Sequence, residues 1–377
     1  MKNERIAVRT RAVRRLLATP EAMIQRVVGP PVTVDGRVLA RAPQLMLWAG
    51  ERLGMTGDAF SPEQRRKQLA DAAGLVMPVR TDVHVFDRWI PGPGGEIRIR
   101  CYRAHGAPGD TAIVFFHGGG WVAGGIETHD GPCRVVAAVT GCLVVAVEYR
   151  LAPEHPFPAA VDDAIAAYAW VCEHTGELSV TSGRVGVMGD SAGGNLAAVV
   201  SQQAADRDLP VPVAQCLIYP STDAQFRQPS HRLFAEGFGL NREDMDWYRA
   251  QYVPDESAWD SPLVSPGSET DLAGQPPAVV ITAGFDPLRD EGRVYGEALA
   301  DSGVAVTYRC YDDQIHGFFS MGVLPGGMAR ITEVAAAMGG LMRPGDADDD
   351  GTSSAVGRSE PRRRARPGTR RWAGRTP

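Results

Sequence analysis

Residues 185–197 read VGVMGDSAGGNLA, a short apolar run followed by a serine between glycines and then by a helical pattern. The run 185–188 has the unbroken apolar character of a strand that is buried on both faces. Residues 189–193 fit Gly-x-Ser-x-Gly, a sharp turn between a strand and a helix that exposes the serine hydroxyl. The alternative is that Ser191 only caps the following helix. Because strand, motif and helix stand in the order that catalysis requires, we predict that Ser191 is a nucleophile.

Similar apolar runs lie on both sides of this stretch, and segments with helical spacing separate them. Runs without alternation are typical of parallel strands that helices cover on both faces, so the pattern predicts a doubly wound α/β domain. The predicted strands cover residues 83–90, 96–102, 112–116, 143–147, 185–188, 214–219, 278–282 and 305–309, and the predicted helices cover about 130–140, 159–172, 192–204, 290–301 and 328–338.

Two segments stand outside this alternation. Residues 1–80 read as helical, and Ser61-Pro62-Glu63-Gln64 forms a capping box at which a helix should begin. Residues 222–266 are too long for a simple crossover and contain a predicted helix at about 241–253. An insertion there should lie over the carboxyl edge of the sheet, where ligands bind in such folds. We therefore expect both segments to form a helical cap on a core at 81–342.

Composition and charge exclude several classes of function. A net charge of −6 over 377 residues argues against a nucleic-acid binder. No uncharged stretch approaches the roughly 20 apolar residues that a membrane-spanning helix needs. The six cysteines form neither a CxxC motif nor a dense framework, which predicts buried thiols in a reducing compartment and hence a cytoplasmic location.

Both ends of the chain carry basic segments. Residues 5–17 predict a basic amphipathic helix, which either covers the domain or makes a peripheral contact with a membrane surface. Residues 343–377 contain few apolar side chains, so we predict a disordered, Arg-rich tail. Such a tail is either a non-functional extension or an anion-binding segment. The oligomeric state stays open.

A serine nucleophile needs a base of near-neutral pKa and an acid that orients the base. In hydrolases built on this serine turn, the acid and then the base follow the serine. Only His231 and His316 follow Ser191, and His316 lies just past the last predicted strand, so we predict that it is the base. Asp286 directly follows a predicted strand and is the predicted acid. Its rival Asp290 lies at a helix start, where an acidic residue simply suits the helix dipole.

His117-Gly118-Gly119-Gly120-Trp121 follows another predicted strand. Acyl transfer passes through an oxyanion that backbone N–H groups must stabilise, and glycines allow a close backbone approach. We predict that the N–H groups of Gly118, Gly119 and Ala192 form this oxyanion hole, and that His117 positions the loop. A phosphate-binding loop is disfavoured because neither GxxxxGK[ST] nor GxGxxG is present.

Together these motifs resemble the hormone-sensitive-lipase-like carboxylesterases, the bacterial family IV of lipolytic enzymes. The resemblance covers about residues 80–340. It rests on HGGGW at 117–121, YRLAPEHPFPAA at 149–160, GDSAGGNLA at 189–197, AGFDPLRDEG at 283–292 and HGF at 316–318.

The resemblance implies an α/β-hydrolase fold with a mostly parallel central sheet, helices on both faces and a helical cap. It implies a serine carboxylesterase without metal or cofactor, with Ser191, Asp286 and His316 as its triad. A cap built from two segments suggests a limited cavity, hence short- to medium-chain esters. An amidase or formamidase with the same triad and a non-catalytic small-molecule receptor remain alternatives. The residues that could line an apolar substrate pocket, or equally pack in the core, are Trp121, Phe285, Leu288 and Phe318.

Overall fold

The computed structural model describes residues 21–52, 61–76, 83–107, 110–180 and 184–343. The basic helix predicted at 5–17 lies outside these ranges, as does the predicted tail beyond Arg343. Within the described ranges, no helix is both long enough and apolar enough to cross a bilayer.

The strands build one large sheet and one small hairpin. They are β1 (Thr33–Val34), β2 (Arg37–Val38), β3 (Val83–Gly92), β4 (Gly95–Ala104), β5 (Ala112–Phe116), β6 (Leu143–Val147), β7 (Val185–Asp190), β8 (Gln215–Ile218), β9 (Ala278–Phe285) and β10 (Val306–Ile315). The hairpin pairs β1 with β2, and the other eight form a sheet in the order β10-β9-β8-β7-β5-β6-β4-β3. Within the large sheet, only the β3–β4 and β4–β6 pairings are antiparallel, so the predicted mostly parallel sheet is confirmed.

Helices cover both faces of this sheet, as predicted. They are α1 (Glu21–Val28), α2 (Arg41–Arg52), α3 (Pro62–Val76), α4 (Ile126–Thr140), α5 (Ala159–Glu173), α6 (Ala192–Asp206), α7 (Ser230–Leu233), α8 (Arg242–Tyr252), α9 (Arg289–Asp301) and α10 (Gly327–Met342). Alternate residues of β5 belong to different cores: Val114 packs in the cluster that contains α5 and α6, and Ile113 in the cluster that contains α4 and α10. Since both faces are buried, the strand needs an unbroken apolar run.

Several strands extend beyond their predicted bounds, and β9 and β10 are the two that matter for the site. β9 continues to Phe285, so Asp286 stands directly at its carboxyl end. β10 continues through Asp312 and Asp313 to Ile315, and its register against β9 shifts after Tyr311. β10 is an edge strand, four of whose ten residues are exposed, so polar residues are tolerated there and the apolar pattern underestimates its length.

The N-terminal segment and the insertion meet beside the loop that follows β5. Arg65 of α3 pairs with Asp244 of α8 and lies over the ring of Tyr248. The next residue, Arg66, donates to the carbonyl oxygen of Val122 at 2.8 Å. These contacts support the cap that we predict from the sequence, and its division from the core remains a prediction.

Candidate active site

Ser191 lies in a sharp turn between β7 and α6. Its φ of 56° is in the left-handed region, which is costly for a residue with a side chain. A Cβ on Gly189 would collide with the carbonyl group of Gly193, and a Cβ on Gly193 would collide with that of Phe116. Both flanking glycines are therefore required for strand and helix to approach each other around the serine.

Ser191, His316 and Asp286 form a continuous hydrogen-bonded chain. The Oγ atom of Ser191 is 2.9 Å from Nε2 of His316, whose Nδ1 lies 2.8 Å from Oδ2 of Asp286. The other carboxylate oxygen of Asp286 accepts from the backbone N–H of Leu288 at 2.9 Å. Because Nδ1–H donates to the carboxylate, Nε2 keeps the lone pair that accepts the serine proton.

The surroundings of His316 favour its protonated form. Burial alone lowers the pKa of His316, but the negative charge of Asp286 and the hydrogen bond to it outweigh burial, so the pKa is raised. The more distant Asp190 and Glu291 act in the same direction. The imidazolium that forms when His316 takes the serine proton is therefore stabilised where it forms.

The two rival residues have other partners. Asp290 accepts from the backbone N–H of Ser230 at 3.0 Å and pairs with Arg289 at 2.8 Å. His231 is fully buried, and its Nε2 bonds to the carboxylate of Glu291. Neither rival contacts Ser191, so the choice of His316 and Asp286 is the one that agrees with the geometry.

The contacts of Gly118 do not support its predicted place in the oxyanion hole. Its backbone N–H donates to Oδ1 of Asp190 at 2.9 Å and is not available to a substrate. The N–H groups of Gly119 and Gly120 donate to none of the residues that the structure describes. Both have positive φ, and a Cβ on Gly120 would collide with the ring of Tyr248. The amides left for an oxyanion hole are thus those of Gly119 and Gly120, together with Ala192 at the start of α6, and their role remains a prediction.

Asp190 explains this difference, and the sequence motifs alone do not predict its role. The side chain is buried, with one carboxylate oxygen 3.2 Å from Nε2 of His129 and the other 3.4 Å from the hydroxyl of Tyr219. Burial raises the pKa of Asp190, but the charge of His129, its hydrogen bond and the amide of Gly118 together hold that pKa below its ordinary value. The signal in the sequence is the acidic residue directly before the nucleophile. It must be buried at the end of a central strand, and a buried carboxylate needs hydrogen-bond donors.

His117 holds the glycine loop from its other side. Burial lowers the pKa of His117 to about 3, so its ring is neutral. Nδ1 donates to the carbonyl oxygen of Gly118 at 2.9 Å, and the ring stacks on Tyr149 with centroids 4.2 Å apart. The hydroxyl of Tyr149 donates to the carbonyl oxygen of His117 at 2.7 Å. The contacts of His117 and Tyr149 thus support the loop-positioning role that the sequence predicts for His117.

The four predicted pocket residues are all buried in apolar contacts. Trp121 stacks on Tyr252 of α8 with ring centroids 4.4 Å apart. Phe318 lies in the cluster between the sheet and α4, and Phe285 and Leu288 pack in two smaller clusters with residues of the insertion. These contacts support the core-packing alternative, and a role in a substrate pocket remains a prediction.

A profile of the family described as alpha/beta hydrolase fold matches residues 113–320, more than half of the chain. The chain belongs to this family. Carboxylic ester hydrolase LipN of Mycobacterium tuberculosis is 43% identical to this α/β hydrolase over 313 residues, which are 81% of the chain and 83% of the relative. Ethyl acetate hydrolase of Pseudomonas putida is 37% identical over 284 residues, 73% of the chain and 87% of that protein.

Solved structures of esterases share the fold. An ester hydrolase from the metagenome of Lake Arreo matches with a TM-score of 0.76 and 39% identity, over 80% of this chain and 98% of that one. The thermostable carboxylesterase EstE1 from a metagenomic library matches with a TM-score of 0.74 and 38% identity, over 77% and 100%. The resemblance to the hormone-sensitive-lipase-like carboxylesterases is thereby confirmed.

Proposed function

We propose that this α/β hydrolase is a serine carboxylesterase that cleaves short- to medium-chain carboxylic esters through an acyl-enzyme. The observation that carries the proposal is the unbroken hydrogen-bonded chain from Ser191 through His316 to Asp286. The amides of Gly119 and Gly120, which no described residue occupies, support it. Its relatives named as ester hydrolases support the same reaction. A non-catalytic receptor has no need of this arrangement.

Acylation begins when Oγ of Ser191 attacks the ester carbonyl carbon. A C–O bond forms, the π electrons move to the carbonyl oxygen, and Nε2 of His316 takes the hydroxyl proton. The resulting oxyanion accepts hydrogen bonds from Gly119, Gly120 and Ala192, and the N-terminus of α6 stabilises its charge. The tetrahedral intermediate then collapses, the bond to the alkoxy oxygen breaks, and His316 returns the proton to the leaving alcohol.

Deacylation repeats these steps with water as the nucleophile. His316 removes a proton from water as the oxygen attacks the acyl carbon, and the same amides receive the second oxyanion. Collapse breaks the bond to Oγ, releases the carboxylic acid and returns the proton to Ser191. Every proton moves through His316, so no metal or organic cofactor is needed for the balance.

Contacts of the cap support the preference for shorter acyl chains. The ring of Tyr248 lies against Gly120 on the oxyanion loop, and Arg66 binds the carbonyl oxygens of Val122 and Ala152 beside it. A cap held this close to the glycine loop leaves little room for a long chain on that side. In a series of p-nitrophenyl esters from acetate to palmitate, we expect kcat/KM to be highest at or below octanoate. A maximum at laurate or longer would contradict this.

The central test is Ser191→Ala on p-nitrophenyl butyrate, with Ser201→Ala as a matched control. Ser191 lies at the turn before α6, and Ser201 lies within α6. Ser201 is buried, and its hydroxyl donates to the carbonyl oxygen of Ala197. We expect Ser191→Ala to lower kcat by roughly 10⁴- to 10⁶-fold and to abolish labelling by a fluorophosphonate, whereas Ser201→Ala keeps both. Undiminished activity of Ser191→Ala would refute the mechanism. Comparing kcat/KM on a matched ester and amide separates the esterase from an amidase.

A further inference from the structure

Helix α9 begins three residues after Asp286 and has no cap of its own. Its N-cap residue is Leu288, whose side chain cannot accept a hydrogen bond, although the first N–H groups of a helix need acceptors. Two acceptors come from the preceding turn: the carbonyl oxygen of Asp286 binds the N–H of Arg289 at 3.1 Å, and that of Leu288 binds the N–H of Gly292 at 3.2 Å. The N–H of Asp290 finds its acceptor elsewhere.

That acceptor is Ser230, which lies in the insertion and is distant in sequence. Its Oγ accepts from the N–H of Asp290 at 3.1 Å and donates to the carbonyl oxygen of Pro287 at 2.6 Å. Its backbone N–H donates to Oδ2 of Asp290 at 3.0 Å. This reciprocal exchange has the form of a capping box, except that the capping residue comes from another part of the chain. Ser230 is fully buried, so water does not compete for these bonds.

A second contact anchors the insertion on the same helix. His231 bonds to the carboxylate of Glu291, and the other oxygen of Glu291 accepts from the N–H of Thr222 at 2.6 Å. Since Thr222 lies at the start of the insertion, α9 holds the insertion at two points. Ser230 is therefore fixed relative to α9 by more than its own hydrogen bonds.

We propose that Ser230 is a positioning residue for the acid of the triad. Its hydroxyl holds Pro287, the residue next to Asp286, and caps the helix that follows, so it fixes the turn from which the carboxylate reaches His316. This inference rests on the proposed esterase function and extends it: a residue of the insertion controls the placement of the catalytic acid.

Loss of the hydroxyl should affect chemistry more than substrate binding. Without it the turn that carries Asp286 is free to shift, and a misplacement of about 1 Å at a catalytic group can cost about a hundredfold in rate. The charged groups that face His316 are Asp286, Asp190 and Glu291. Ser230 holds the turn that carries Asp286 and caps the helix that carries Glu291, so a shift of either carboxylate weakens the charge that raises the pKa of His316. The kinetic pKa of His316 should therefore fall in the variant.

The experiment compares Ser230→Ala with wild type and with Ser201→Ala, another buried serine with a hydrogen bond at 2.9 Å that does not touch the acid turn. For Ser230→Ala on p-nitrophenyl butyrate, we expect kcat to fall by about ten- to a hundredfold and KM to change by less than about twofold. The acidic limb of the pH profile of kcat/KM should move to lower pH. Ser201→Ala should show neither change. A purely structural serine would lower the melting temperature and leave the pH profile in place.

Wild-type kcat and an unmoved acidic limb in folded Ser230→Ala would overturn the proposal. If that variant does not fold, Ser230→Cys makes the same comparison, because a thiol is of similar size and a weaker hydrogen-bonding group. Labelling of the wild type by a fluorophosphonate separates the proposed esterase function from the proposed role of Ser230. Unlabelled wild type refutes the esterase, whereas labelled wild type with an unaffected Ser230→Ala or Ser230→Cys refutes only the role of Ser230.

Discussion

His316 with Asp286 and His231 with Glu291 are two buried histidine–carboxylate pairs that differ in what the second ring nitrogen meets. Nε2 of His316 faces the hydroxyl of Ser191, and 14% of the His316 side chain is exposed. In the other pair, Nδ1 of His231 accepts from the backbone N–H of Gln228 at 3.1 Å, and the side chain is not exposed at all. The carboxylate contact alone therefore does not make a histidine a base. A nucleophile and a path for substrate are also required.

The electrostatics of the two pairs are similar. Burial lowers the pKa of His231, yet the hydrogen bond and charge of Glu291 leave it raised, as Asp286 does for His316. Burial raises the pKa of Glu291. A raised histidine pKa would thus mark both pairs, and only geometry separates the catalytic one from the one that joins the insertion to α9.

The largest difference should appear in matched histidine variants. His316→Gln removes the proton acceptor, so we expect kcat to fall by about 10⁵-fold or more, in line with the loss of a triad histidine elsewhere. His231→Gln keeps a group that can donate to Glu291 and leaves the triad intact, so kcat should stay within about tenfold. Rates on p-nitrophenyl butyrate, with circular dichroism to verify folding, make the comparison. Equal losses in two folded variants would contradict it.

Replacing Asp286 should likewise lower kcat much more than replacing Glu291. Asp286→Asn cannot hold His316 in the required tautomer, and such a change costs about 10⁴-fold in kcat in a related arrangement. Glu291→Gln leaves the catalytic chain in place and should cost less than about tenfold, since Glu291 acts on the site through the position of α9 and through a more distant charge on His316. Steady-state kinetics on the two variants measure both losses in kcat. A greater loss in Glu291→Gln would mean that the wrong pair has been assigned to catalysis.

The sequence predicts most of this site, because each triad residue lies in a local pattern. A strand, a serine between glycines and a helix mark Ser191, and strand ends mark Asp286 and His316. The oxyanion hole is only partly predictable. Three glycines in a row are equally suitable by type, and the hydrogen bond of Gly118 to Asp190 is a tertiary contact over 72 positions.

The fold is predictable where burial imposes a pattern and less so elsewhere. The central strands bury both faces and therefore read as apolar runs, and all eight strands of the large sheet were expected. The hairpin of β1 and β2 was not, since two residues per strand leave no periodicity to detect. It is held instead by distant contacts, such as the 2.7 Å bond from Arg37 to Asp312 of β10.

For stability the order of the two histidines should be reversed: His231→Ala should lower the free energy of unfolding more than His316→Ala. His231→Ala leaves Glu291 buried with only its bond from the N–H of Thr222, and removing one partner of a buried pair typically costs about 3–5 kcal/mol in the free energy of unfolding. His316→Ala leaves Asp286 with its bond from the N–H of Leu288 and opens the site to water, so we expect a smaller loss. Urea denaturation of both variants measures the difference. A larger loss in His316→Ala would show that His231 is not the histidine with the structural role.

The smallest expected effect is a pH shift, which tests whether His316 alone controls activity. His316 must be neutral to accept the serine proton, and its pKa is raised by Asp286 despite burial. The acidic limb of kcat/KM should therefore have its midpoint above the ordinary histidine value of about 6.5. Asp286→Asn removes the charge and should move the midpoint down, whereas His231→Gln should leave it in place.

The same raised pKa has the opposite consequence for stability. A histidine that gains a partner on folding stabilises the folded state fully below its unfolded pKa, and this contribution is lost as pH rises through the folded pKa. The pair of His316 and Asp286 therefore stabilises the fold most at the pH at which the enzyme is inactive. Measuring unfolding and kcat/KM over one pH series should show activity rising as this contribution falls, and a contribution that rose together with activity would contradict the assignment of His316.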